Sequence, residues 1–355
     1  WVFRGLILLL WSVGAWPARG WTPEKWFARP HTPRLANYSI EAVLDWEKKS
    51  LEGKETITWK NGGFAPTNEL PLHLYLNAFK GPSSQFMKER GREDRFGSEA
   101  GPGAWGYCRL QTVKLEGQAL PWHAGEDESV AWVRLPRVVA PGESISVAIA
   151  WESRFPRVVS RSGYGGNFLM GAQWFPKVGV YQGDRWNCPA YHANTEFFAD
   201  FGVYDVTLSL GNGLSIAHTG TSLPQLGPGD VAYDTLPDPA RKLHNVWKLH
   251  AEDVHDFAFA VMPAGAWRMV RKDYRGVQVF YYYQPENLAT LPRQQEATEW
   301  GLKLAGEWYF PYPYPVLTVV DVPRDAAATD AMEYPTLFTA SSTPFEPLRL
   351  KDDAL

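Results

Sequence analysis

Cysteine is scarce in this chain. Only two cysteines, Cys108 and Cys188, occur among 355 residues. A disulfide-stabilised scaffold needs several cysteines in a short sequence, so this class of small secreted fold is excluded. One disulfide between the two residues and two separate thiols are both compatible with the sequence.

An excess of basic residues is also missing. The chain has 35 Lys and Arg against 39 Asp and Glu, and its formal net charge is −4. Proteins that bind nucleic acids neutralise phosphates with a positively charged surface. The charge balance therefore predicts no nucleic-acid partner.

Long apolar runs are absent except near the N-terminus. Gly5–Trp16 is almost wholly apolar, but at about 12 residues it is shorter than the ~20 needed to cross a bilayer. Arg4 precedes this run and Ala18–Gly20 follows it, the order of a secretory signal peptide with cleavage before Trp21. We therefore expect residues 1–20 to be a signal peptide, the protein to be secreted or periplasmic, and no stable membrane span. An uncleaved anchor or a buried strand is the alternative.

Several common catalytic signatures do not occur. The chain has no Gly-x-Ser-x-Gly elbow, no glycine-rich phosphate loop and no Cys-x-x-Cys pair. Asp184, Glu196 and Asp200 lie in an aromatic region and could form the carboxylate pair of a glycosidase. Because the sequence does not fix their separation, we favour ordinary structural carboxylates.

A short segment, His250–His255, contains two histidines and two carboxylates. The zinc motif His-Glu-x-x-His places its histidines four residues apart on one face of a helix. Here they are five apart without helical periodicity around them, and in a hairpin they would point to opposite faces. We interpret the segment as a polar turn between strands.

Aromatic residues are abundant, at 14% of the chain with 17 Trp, beside 31 Gly and 28 Pro. Aromatic residues favour strands, and glycine and proline favour tight turns. Tyr38–Trp46 alternates apolar and polar residues, and so does Leu70–Leu76, which predicts half-buried strands. Similar runs occur at Thr56–Trp59, Val130–Leu135, Ser144–Trp151, Gly202–Leu210, Val246–Leu249, Phe257–Met262 and Val277–Tyr283. The fold class predicted is mainly β, with a sandwich or saddle-shaped set of sheets.

The pattern changes after about residue 264. Thr290 can begin a helix with Pro292 in its first turn, and a proline-rich segment then leads into a strand at Val316–Val322. We predict a β-rich domain over residues 21–264 and the start of an α+β domain over 265–355. Residues at helical spacing place one apolar face on this helix: Ala297, Trp300, Gly301, Leu304 and Trp308.

The most informative segment follows that strand. Asp330–Pro335 reads Asp-Ala-Met-Glu-Tyr-Pro, and a carboxylate where a loop turns back into a strand can hold a free amine while nearby backbone N–H groups face a carbonyl. The segment resembles the Gly-x-Met-Glu-Asn/Tyr element of the aminopeptidase N family of zinc metallopeptidases, the gluzincins. Gln173–Tyr181, His192–Gly202, Glu252–Ala258 and Tyr312–Pro315 resemble other parts of that family in order and spacing.

The resemblance implies roles for residues of this segment. Glu333 would bind the α-ammonium group of a peptide, and the backbone at Ala331 and Met332 would align the scissile carbonyl. The substrates implied are peptides with a free N-terminus. A second group, for which Asn167 and Gln173 are candidates, would also contact the amine. One departure is Asp330, where many members have glycine, and this puts the usual loop geometry in doubt.

The family's zinc ligands, general base and transition-state tyrosine lie downstream of this segment, and residues 336–355 contain no histidine. The resemblance therefore implies one zinc ion whose ligands lie beyond Leu355, with no metal ligands and no catalytic residues within this chain. The chain also begins without Met. We expect an N-terminal fragment of a thermolysin-like metallo-aminopeptidase, inactive alone.

Two other functions remain open. A non-catalytic relative could use the same groove as a peptide-binding or scaffold module, and Asp330 gives that alternative weight. An aromatic-lined carbohydrate-binding sandwich would explain the tryptophans but not the Met-Glu-Tyr-Pro loop.

Overall fold

The computed structural model describes residues 25–90, 103–157, 160–222 and 244–341. The predicted signal peptide lies outside the described residues. Within them, the chain forms sheets with three short 3₁₀ turns at Tyr75–Phe79, Pro285–Thr290 and Arg324–Thr329, and two α-helices, α1 at Gln85–Arg90 and α2 at Leu291–Trp308.

The largest sheet has eight strands. Alternate side chains of its central strands are buried, as the period-two pattern predicts. In spatial order the strands are β16 (Thr221–Ser222), β17 (His244–Val254), β14 (Gly202–Gly211), β1 (Ala36–Asp45), β2 (Ser50–Lys60), β8 (Ser144–Arg154), β4 (Tyr107–Leu115) and β5 (Gln118–Ala119).

Smaller sheets pack against this one and bury a shared apolar core. One sheet contains β15 (Leu214–His218), β18 (Phe259–Pro263), β10 (Phe168–Gly171) and β9 (Gly163–Gly165). Another contains β11 (Lys177–Val178), β3 (Thr67–His73), β7 (Val130–Val139) and β6 (Trp122–Ala124). A two-stranded ribbon pairs β12 (Val180–Gln182) with β13 (Arg185–Asn187).

The C-terminal part of the described chain forms a five-stranded sheet with α2 on one face. Leu291 at the start of the helix packs with Val277, Val279 and Tyr281 in one core cluster. The strands in spatial order are β19 (Arg268–Tyr274), β20 (Val277–Tyr283), β21 (Val316–Val320), β23 (Leu337–Thr339) and β22 (Glu333–Tyr334). The neighbouring pairs β20–β21 and β21–β23 are parallel, and the edge strand β22 is antiparallel to β23.

The predicted mainly β fold is confirmed. Trp59, Trp151, Trp174 and Trp267 are buried in the core, whereas Trp122, Trp300 and Trp308 are exposed. Cys108 and Cys188 are free thiols. No helix in the described ranges has the length and apolar character needed to span a bilayer. The domain division at residue 264 stays a prediction.

Two local predictions were wrong. The strand expected to reach Leu76 ends at His73, because the next residues turn into the 3₁₀ segment Tyr75–Phe79. Helix α2 begins where predicted, with Pro292 in its first turn, but a different face packs on the sheet. Leu291 and Thr298 are buried, whereas Trp300 and Trp308 are 50% and 69% exposed.

Candidate substrate-binding edge

The segment predicted to bind an amine forms the edge of the five-stranded sheet. In β22, Glu333 lies opposite Phe338 and Tyr334 opposite Leu337. Successive strand residues point to opposite faces, so only one of the two can enter the core. Tyr334 is buried and donates a hydrogen bond to the carbonyl oxygen of Arg161 at 2.9 Å. Glu333 is exposed on the other face.

The carboxylate of Glu333 makes no hydrogen bond and no ion pair with any residue in the described ranges. Glu196, by contrast, binds Arg161 with oxygen–nitrogen distances of 2.5 and 2.6 Å. An unpaired carboxylate on an open sheet edge is available to an external cation through charge-assisted hydrogen bonds.

Asp330 does not disturb the loop as the sequence suggested. Its φ of −83° and ψ of 167° are extended values that any residue adopts, so glycine is not required there. Its Oδ1 accepts a hydrogen bond from the N–H of Ser341 at 2.9 Å. The left-handed position is the next residue, Ala331, with φ of 55°. A non-glycine residue in that region is strained by about 1–3 kcal/mol.

Only one of the two predicted backbone donors is open to a ligand. The N–H of Met332 donates to Oγ1 of Thr339 at 3.0 Å, inside the protein. The N–H of the exposed Ala331 has no acceptor among the described residues. Among the described residues, an unpaired N–H at Ala331 and an unpaired carboxylate at Glu333 therefore lie two residues apart at the same sheet edge.

The hairpin of β9 and β10 packs against the Arg324–Thr329 turn that leads into this edge. A Cβ added at Gly165 would lie 2.0 Å from the carbonyl oxygen of Asp325, so glycine permits the close approach. Asn167 lies exposed in the turn of this hairpin. Gln173 is buried and donates to the carboxylate of Asp256. Of the two candidates for a second amine contact, only Asn167 has an accessible side chain.

Arg161 connects this edge to the rest of the molecule. Its N–H donates to the carbonyl of Ala328 at 2.8 Å, its own carbonyl accepts from Tyr334, and its guanidinium holds Glu196. The ring of Phe197 lies 5.3 Å from the guanidinium carbon. Nothing in the single sequence marks this arginine, because its partners are 34 to 173 residues away.

The alternative carboxylate set is not assembled into a hydrogen-bonded pair. Glu196 is occupied by Arg161, and Asp184 is exposed in the turn between β12 and β13. Asp200 is half-buried, and this burial raises its pKa to about 6. Because Arg161 neutralises Glu196, this residue is not one of the two free carboxyl groups that glycoside hydrolysis needs.

The His250–His255 segment is not a turn, contrary to the sequence interpretation. His250 lies buried within β17, where its Nδ1 is 2.7 Å from Asp205 Oδ1 and its Nε2 is 3.2 Å from Glu252 Oε1. Arg34 in turn binds Glu252 at 2.7 Å. Across the described ranges, no three His, Cys, Asp or Glu side chains are arranged to hold a metal ion. The residues described here do not fit a zinc centre.

The sequence matches no protein-family model and no curated protein. Solved structures do match. A glutamate-to-alanine mutant of an M1 zinc metallopeptidase from Deinococcus radiodurans has a TM-score of 0.57 at 15% identity, over 88% of this chain and 62% of that chain. The chain shares the M1 metallopeptidase fold. At this identity the likeness shows the fold alone, and the chain spans less than two thirds of that protein's length.

Two further M1 structures were solved with amino acids bound. A two-domain M1 zinc metallopeptidase mutant with L-tryptophan has a TM-score of 0.58 at 15% identity, over 90% of this chain and 63% of that chain. One with L-arginine has a TM-score of 0.56 at 16% identity, over 87% and 61%. The ligands named for those two proteins are free α-amino acids.

Proposed function

We propose that this chain supplies the amine-binding edge of a zinc-dependent aminopeptidase of the M1 type. The observation that carries the proposal concerns the edge strand β22: among the described residues, neither the exposed carboxylate of Glu333 nor the N–H of Ala331, two residues earlier, has a hydrogen-bond partner. The carboxylate would bind the α-ammonium group of a peptide, and the N–H would donate to the carbonyl of its first residue.

This arrangement selects peptides by their N-terminus. An ammonium group gains a charge-assisted hydrogen bond from Glu333, whereas a blocked amine offers no cation. Zinc, when bound by ligands elsewhere in the protein, would polarise the scissile carbonyl and activate a water. The residues described here bind and orient the peptide. The proposal includes export directed by residues 1–20. The substrates of the exported protein would then be extracellular or periplasmic peptides.

A non-catalytic peptide-binding module would use the same edge. Both candidates predict selective binding of free amines, and they differ in hydrolysis. Addition of zinc to a protein that also carries the expected ligands beyond Leu355 separates them, because only the enzyme then releases an amino acid from a peptide.

Binding by the 355-residue chain tests the shared part of the proposal. The probe is L-tryptophanamide, chosen because an M1 structure holds L-tryptophan, and its control is the analogue that lacks only the amino group. A charge-assisted hydrogen bond of about 1.5–3 kcal/mol predicts roughly ten- to hundredfold tighter binding of the amine. Equal binding of the two compounds in a calorimetric titration would refute amine recognition.

A further inference from the structure

Thr339 makes three hydrogen bonds to the loop that carries the proposed amine site. Its N–H donates to the carbonyl oxygen of Met332 at 2.9 Å. Its Oγ1 accepts from the N–H of Met332 at 3.0 Å and donates to the carbonyl oxygen of Thr329 at 2.8 Å. The side chain is 2% exposed, so these bonds are made out of water.

These bonds fix the one residue that separates the two ligand-binding groups. Both backbone polar groups of Met332 are held by Thr339, and its half-buried side chain packs on a core cluster. Ala331 precedes Met332 and Glu333 follows it. The direction of the Ala331 N–H and that of the Glu333 side chain are therefore set by the position of Met332.

The hydroxyl of Thr339 also accepts the hydrogen bond of the Met332 N–H, which would otherwise be a second backbone donor beside that of Ala331. If Oγ1 were absent, the N–H of Met332 and the carbonyl of Thr329 would both lose their partner in a buried position. Buried polar groups without partners are unfavourable, so the loop would shift to find new ones. Ala331, held at φ of 55°, would be free to leave its strained conformation.

We propose that Thr339 is a positioning residue for amine recognition, because its hydroxyl holds Met332 and thereby aligns the Ala331 N–H with the Glu333 carboxylate. This inference rests on the proposed function of that edge. Thr339 does not touch the ligand. Its contribution is the fixed geometry between one donor and one carboxylate, and pre-organisation of this kind strengthens binding by lowering the cost of ordering the site.

Two variants of the 355-residue chain test the role of the hydroxyl. Thr339→Val keeps the branched shape and removes the hydroxyl, and Thr339→Ser keeps the hydroxyl and removes a methyl group. Each is titrated with L-tryptophanamide and with the analogue that lacks the amino group. The readout is the ratio of the two affinities. A partly unfolded variant loses affinity for both compounds by the same factor, so instability alone leaves the ratio unchanged.

We expect Thr339→Val to lower the amine preference by roughly two- to tenfold, the equivalent of one misaligned hydrogen bond, and Thr339→Ser to keep it. An unchanged preference in Thr339→Val would overturn the positioning role while leaving amine recognition intact. Equal loss in both variants would also overturn it, because the hydroxyl would then not be responsible. If the unmodified chain shows no preference, the proposed function itself fails. If Thr339→Val does not fold, Thr339→Ala takes its place, because it removes the same hydroxyl without adding a methyl group to the buried site. The same loss of preference is expected, and an unchanged ratio in Thr339→Ala would overturn the inference.

Discussion

Glu55 gives a test of the core that is independent of the amine site. It lies on β2 between Ile40 of β1 and Ile149 of β8, and it is 3% exposed. Neither carboxylate oxygen has a hydrogen-bond partner among the described residues. Burial without a compensating cation disfavours the charged form, and it raises the pKa of Glu55 well above its ordinary value of 4.5.

The pH dependence follows from this pKa. Between the unfolded-state value near 4.5 and the higher folded-state value, the folded protein keeps a proton that the unfolded protein has lost. The free energy of unfolding therefore falls by about 1.4 kcal/mol for each pH unit in that window. Below pH 4.5 both states are protonated and the contribution of Glu55 is constant.

Replacement by glutamine removes the titration and keeps the shape. We expect Glu55→Gln to change stability little at pH 4.5 and to gain about 1.4 kcal/mol over the parent protein for each pH unit above it, up to the folded-state pKa. The assay is urea unfolding at pH 4.5, 5.5 and 6.5, with the midpoint followed by tryptophan fluorescence. Glu52→Gln on the same strand, where the side chain is exposed, is the matched control. A constant difference between Glu55→Gln and the parent protein across this range would refute the reasoning.

Three further predictions concern other parts of the chain. Asp256→Ala should lower the free energy of unfolding by about 3–5 kcal/mol, because it leaves Lys177 buried without the carboxylate 2.7 Å away. Lys177→Met combined with Asp256→Asn should recover part of that loss. A loss under about 1 kcal/mol in Asp256→Ala would contradict this prediction. The purified chain should hold no stoichiometric zinc and cleave no aminoacyl substrate, and elemental analysis near one tightly bound zinc per chain would disprove it. Exported protein should begin at or within a few residues of Trp21, and N-terminal sequencing that finds Trp1 on secreted material would count against the signal peptide.

The sheets could be predicted from the sequence because a half-buried strand leaves a period of two. Tyr38, Ile40, Ala42 and Leu44 share one face of β1 and are all buried. The same rule fails where alternation continues through a change of backbone, as at Leu74 and Leu76 beyond the end of β3. In α2, helical spacing predicted that the face with Trp300 and Trp308 would be the apolar one, but Leu291 and Thr298 lie on another face at the same kind of spacing. The sequence does not say which of them the sheet covers, and Leu291 and Thr298 face it rather than Trp300.

The candidate site was predictable in part. Glu333 was placed at a strand start, and its exposure follows from the burial of Tyr334 beside it. The local sequence could not show that the N–H of Met332 is already used, because that depends on how β23 returns beside the loop and brings Thr339 to it. His250 was assigned to a turn because its pairing with β14, more than forty residues earlier, is invisible in a local pattern.

The central claim is that Glu333 recognises an N-terminal ammonium group. The most direct measurement is the affinity of the Glu333→Gln chain for L-tryptophanamide, compared with the analogue that lacks the amino group. Glutamine keeps the size of the side chain and removes its charge. Glu126→Gln, in the exposed turn between β6 and β7, removes the same charge elsewhere and is the control. We predict that Glu333→Gln loses roughly ten- to hundredfold in affinity for the amine alone, while the control binds as the parent does. A Glu333→Gln chain that still prefers the amine as strongly as the parent would contradict the account.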